Sequence, residues 1–161
     1  MDRSPTPAPP RHDRETRRRL SGPGLRAFLA IADRWGLGEE DRRQVLGAPS
    51  PATYGRWAER ARAGEALVLP TGVLMRLAAV LTVHRLLRQI FGAGPEALDW
   101  LRAPHDAPPL AGQPPLAILT GGSQEGLDTI CRYLAALAQG HPAAPGPADP
   151  APPPAGSGNQ S

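Results

Sequence analysis

Thr53, Arg56 and Arg60 stand three and four residues apart, a spacing that gathers them on one face of a helix. A hydroxyl and two guanidiniums on such a face can hydrogen-bond base edges and phosphate oxygens in the major groove of DNA. Ser50 precedes them as a natural N-cap, and Tyr54 lies between them, so the candidate DNA-binding set is Ser50, Thr53, Tyr54, Arg56 and Arg60. Tyr54 and Trp57 have two uses open to them, packing inward or supporting a phosphate contact. A Gly47-Ala48-Pro49-Ser50 turn joins this segment to a short helix before it, as a helix-turn-helix requires. Such helix pairs also occur in proteins that never touch DNA, so the pattern alone leaves both readings open. Gly55 weakens the second helix by about 1 kcal/mol relative to Ala.

Other reactive groups point to little chemistry. Arg17, Arg18 and Arg19 can be read as an arm reaching DNA phosphates or as a solvated charge run on a tail, and composition favours the solvated run. His12, His84, His105 and His141 have no metal-ligand spacing, and His84 on an apolar helix reads as a core or interface residue. Gly121 to Gly126 lacks the lysine and preceding strand of a phosphate-binding loop, so Ser123 there reads as a helix cap. Cys131, the single cysteine, falls on an apolar stripe and is expected to be buried and inert. No catalytic residue, cofactor site or metal site is expected, and the chain is read as a non-enzyme.

The elements that must position these groups lie in the middle of the chain. Of 21 prolines in 161 residues, seven fall from Pro142 onward and four between Ser4 and Arg11. Both ends are also poor in large apolar residues and cannot offset their ordering entropy, so disordered tails are expected over 1–19 and 141–161. One cysteine excludes an internal disulfide framework. No apolar leader segment and no run of about 18 apolar residues is present, so a cytoplasmic protein without membrane contact is expected. All 18 basic residues are Arg, and with 15 acids they leave a net charge of +3. Residues 1–102 are basic and 103–161 acidic, which suggests surfaces with different partners.

Apolar spacing predicts a helix over 25–35 ended by Gly36 and a second from Glu39 stopped by Gly47. A third over 51–62 begins with Pro51, and a connector at 64–70 leads to a long helix capped by Thr71 and apolar on several sides. Pro95 opens a short helix to Leu101, a proline-rich loop covers 103–115, and a short segment spans 116–119. A last helix starts near Ser123. Nothing alternates with period two, so the fold class is all-α.

The string Trp100-Leu101-Arg102-Ala103-Pro104-His105, then Leu110-Ala111-Gly112-Gln113-Pro114-Pro115-Leu116, then a helix closing at Gly140, resembles the toxin-binding domain of the Xre/MbcA/ParS antitoxins. Trp35-Gly36-Leu37, Leu46-Gly47, Ser50, Thr53, Arg56-Trp57 and Phe91-Gly92 resemble that family's Xre-like helical domain. The resemblance implies an Xre-like helix-turn-helix bundle over 20–92 followed by a small helical toxin-binding domain over 93–140. It implies a type II antitoxin, a homodimer that binds a RES-domain, NAD-degrading toxin, covers its active site and represses its own promoter DNA. The toxin-binding residues it implies are Trp100, Pro104, Leu110, Gly112, Pro115, Leu116 and Gly140. His105 stands where the family usually has Asn, Ser123 where Thr is common and Ala136 where Arg is frequent, and the chain runs on past the closing glycine. A stand-alone transcriptional regulator and a helical oligomerisation scaffold are the alternative readings.

Overall fold

The structure, a computed structural model, describes residues 13–140. The tail expected over 141–161, the first part of that expected over 1–19, His12 and His141 lie outside the described residues. Among the described residues the regular structure is helical throughout, with no strand.

The first helix, α1 (Arg14–Arg34), starts well before the expected Leu25. Residues 14–19 are therefore helical, a correction to the tail expected there. Asp13 caps the helix by accepting from the Thr16 amide at 2.7 Å, and Glu15 suits its first turn. The Gly22-Pro23-Gly24 sequence reads as a breaker, because an interior proline costs about 3 kcal/mol. Long-range contacts hold the helix through it. Fully buried Ser21 donates from Oγ to the Arg17 carbonyl and accepts from the Leu69 amide at 2.9 Å. Arg17 Nη1 donates to the Leu69 carbonyl at 3.5 Å, so both backbone groups of a connector residue find partners on α1.

Two short helices follow, α2 (Glu39–Val45), with three acids in its first turn, and α3 (Pro51–Ala63). The turn between them has two left-handed residues, Gly47 at φ 94° and Ala48 at φ 61°. Arg43 fastens it twice, its carbonyl accepting from the Ala48 amide at 2.7 Å and its Nε donating to the Pro49 carbonyl at 2.8 Å. Ser50 caps α3 by accepting from the Thr53 amide at 3.1 Å, and Gly64 at φ 70° ends it.

The long helix α4 (Thr71–Phe91) buries residues on several sides, including Val73, Leu77, Val80, Val83 and Leu87. The sequence places its cap at Thr71, whereas Pro70 occupies the cap position and makes no side-chain hydrogen bond. Helices α5 (Glu96–Arg102), α6 (Pro115–Leu119) and α7 (Gln124–Ala138) complete the chain, with Ser123 capping α7 through the Gly126 amide at 2.9 Å. α4 packs against α1 on one side and α7 on another, and one continuous core runs from Leu25 to Leu134. Arg76 of α4 ties the front to the back: its Nη1 donates to the Val45 carbonyl at 3.3 Å and the Gly122 carbonyl at 3.0 Å. Arg102 Nη2 adds a second tie, to the Trp35 carbonyl at 3.4 Å. No helix among the described residues is long and apolar enough to cross a membrane.

Candidate functional site

The amphipathic pattern of α3 decides which of its side chains reach solvent. Tyr54, Ala58 and Ala61 are buried against the core, which leaves Arg56 and Arg60 exposed and Thr53 half-exposed on the outer side. Ser50 Oγ donates to Thr53 Oγ1 at 2.9 Å, and Arg56 Nη2 donates to the same oxygen at 3.5 Å, so cap, hydroxyl and guanidinium form a short chain at the start of the helix. The structure thus brings Ser50, Thr53, Arg56 and Arg60 together. Tyr54 is only 6% exposed and is a packing residue, which selects one of the two uses its sequence position left open.

Next to this face lies an open cleft of about 510 Å³ between α3, the start of α1 and the connector. Arg56 and Arg60 line it from α3, Arg14 and Arg18 from α1, and Trp57, Ala66, Leu67 and Val68 complete its wall. All four arginines are exposed, and among the described residues none has a carboxylate within ion-pair distance and the one ion pair joins Arg42 and Asp33 at 2.6 Å. The cleft can hold phosphate or carboxylate oxygens, because guanidiniums present donors in a fork that fits both. The three consecutive arginines have separate fates: Arg17 turns to the connector, Arg18 lines the cleft and Arg19 is exposed. Sequence reasoning missed Arg14. Its i, i+4 relation to Arg18 mirrors that of Arg56 to Arg60, a signal hidden by the expectation of a disordered tail.

The C-terminal module is built around Trp100. Its ring stacks with His105 at 5.0 Å between centroids and with Tyr133 of α7 at 6.0 Å, and Phe91 approaches at 6.0 Å with a tilt. His105 is 1% exposed and fixes the loop from both ends: its Nε2 lies 2.9 Å from the Trp100 carbonyl, and its own carbonyl accepts from Gly112 at 2.8 Å. Gly112 and Gly140 have φ of 80° and 76°, which explains glycine at both points. Trp100, Leu110 and Pro115 are buried, Leu116 is half-buried, and Pro104, Gly112 and Gly140 are exposed. The first three therefore shape the module, and a partner arriving from solvent reaches the exposed ones.

The remaining reactive groups are quiet. Half-buried Cys131 donates to the Ala79 carbonyl at 3.4 Å, and burial, then Asp128, pushes its thiol pKa up. A protonated thiol is a poor nucleophile. His84 lies in a cleft with Arg34, Trp35 and Arg88, and its pKa is lowered by burial and then by the two arginines. No group of three or more His, Cys, Asp or Glu that could hold a metal ion occurs among the described residues.

Residues 15–71 match the family model of the antitoxin Xre-like helix-turn-helix domain, and residues 86–140 that of the antitoxin Xre/MbcA/ParS C-terminal toxin-binding domain. The chain is 38% identical over 82 residues to the "Uncharacterized protein y4oB" of Sinorhizobium fredii (strain NBRC 101917 / NGR234), a match over 51% of this chain and 60% of that relative. No solved structure matches.

Proposed function

We propose, from the premise that this chain belongs to the Xre/MbcA/ParS antitoxin family, that it neutralises a RES-domain toxin that degrades NAD by binding it through residues 93–140 and covering its active site. Residues 20–92 act as the DNA-binding domain, and the chain represses its own promoter as a homodimer in the cytoplasm. The observation that carries the first part is the match of residues 86–140 to the toxin-binding domain, with Trp100, His105 and Tyr133 stacked at its centre. The promoter reading is supported by the match over 15–71 and by the exposed Arg56 and Arg60 and half-exposed Thr53 on one face beside the cleft. An apolar groove between α1 and α4, lined by Leu20, Pro23, Ala27, Leu74 and Leu81, supports the homodimer.

Co-expression with a RES-domain enzyme encoded next to this chain tests the proposal. The chain is expected to copurify with that enzyme and to preserve cellular NAD; failure of both overturns the reading. Substitution at Pro104 and Gly112, the exposed points of the loop, is expected to weaken copurification more than substitution at exposed Arg56.

A further inference from the structure

We infer that Arg14, Arg18, Arg56 and Arg60 form a two-helix clamp for the phosphodiester backbone of duplex DNA, to which the start of α1 contributes as much as α3. The inference rests on the DNA-binding reading and deepens it by dividing base readout from backbone grip. Four exposed guanidiniums share one open cleft, and among the described residues none of them has a carboxylate in ion-pair reach, so an anion entering the cleft relieves their mutual repulsion. Each helix supplies its pair at i, i+4 spacing, which places two side chains about 5–6 Å apart at Cβ along each rim. Successive phosphates of one strand advance by about 3.4 Å along the duplex axis, so long arginine side chains can meet neighbouring phosphates from either rim.

The occupant is a backbone rather than a small anion for two reasons. The cleft is open, and its arginines are exposed, whereas a site for a free small ligand buries most of that ligand. It also adjoins the Thr53 and Arg56 end of α3, so a duplex whose base edges meet that end continues along the arginines. Arg17 and Ser21 hold the first turns of α1 to the Leu69 backbone, so the α1 rim of the clamp is fixed by the same contacts that carry the helix past Pro23.

The test measures binding of the full chain to a promoter duplex and an unrelated duplex across a salt series, with Arg14→Gln/Arg18→Gln, Arg14→Lys/Arg18→Lys and Thr53→Ala variants. Each lost phosphate contact lowers the slope of log K against log salt by about 0.9, so the Gln pair is expected to lower it by about 2 on both duplexes and to leave the ratio between them unchanged. The Lys pair should restore the slope. Thr53→Ala is expected to change the ratio and leave the slope. An unchanged slope in the Gln pair, while the parent chain binds DNA, overturns the clamp and spares the DNA reading. Competition by a mononucleotide at the duplex's own concentration overturns it in favour of a small-anion site. A parent chain that binds neither duplex removes the DNA reading and the clamp with it.

Discussion

Ser21 joins α1 to the connector before α4. Its hydroxyl serves two backbone groups in a fully buried position, and Ser21→Ala would leave the Leu69 amide without that acceptor. An orphaned buried donor costs about 1–3 kcal/mol, so the variant should melt several degrees lower by circular dichroism. His84 contributes a pH dependence near neutrality. Its folded pKa lies below the ordinary imidazole value of 6.5, with burial the main cause and Arg34 and Arg88 adding to it. The unfolded chain therefore takes up the proton first, and stability contributed at this site falls as pH drops below 6.5. His84→Gln should make the urea midpoint fall less steeply between about pH 7 and 5; equal slopes would show that the imidazole does not govern the trend. His105, equally isolated in sequence, was legible only as a departure from a family pattern. Its role of holding Trp100 to Gly112 required the folded loop.

At the scale of elements, the α2–α3 turn is the part whose geometry a single atom can upset. A Cβ at Gly47 would meet Arg76 Nε at 3.2 Å, and its φ of 94° is strained for any L side chain. Gly47→Ala should thus cost at least about 1 kcal/mol and, on the proposed DNA-binding reading, weaken duplex binding by tilting α3, measured together by thermal melts and a DNA titration. An undiminished DNA affinity would show that the turn does not set the pose of α3. The same region shows what sequence can and cannot disclose. α3 was legible from end to end because its signals are local: Ser50 at the cap, Pro51 at the first position and Gly64 after the last. The start of α1 was not, because Arg14 to Arg19 carry no apolar period and Pro23 is a local argument against a helix. Pro23 is tolerated because α1 is tied to Leu69 by Arg17 and Ser21 before it and buried in the core after it, contacts between residues far apart in sequence. For the candidate site, the α3 half was readable as periodicity, whereas the α1 half became visible only once the two helices were packed.

For the whole molecule, one core serves both family segments, and Arg76 and Arg102 bridge them through backbone carbonyls. Among the described residues Leu20 and Met75 are the large apolar residues left exposed, at 44% and 49%, and Leu20 lines the groove between α1 and α4. If that groove is the dimer surface, Leu20→Glu with Leu81→Glu should convert the chain to a monomer by sedimentation, with little loss of helicity. A dimer that persists in the double variant would place the interface elsewhere. The packing of α4 sets a rule for recombining such proteins. The matched segments end at residue 71 and resume at residue 86, so most of α4 lies between them, yet α1 and α7 both rest on it. A chimera spliced within α4 would bring one parent's side chains against the other parent's neighbours along a 21-residue helix. Grafts that alter the exposed surface of this protein will keep its fold when exposed loop positions such as Pro104 are varied, His105 and Leu110 are retained, and α4 and α7 are inherited as a pair.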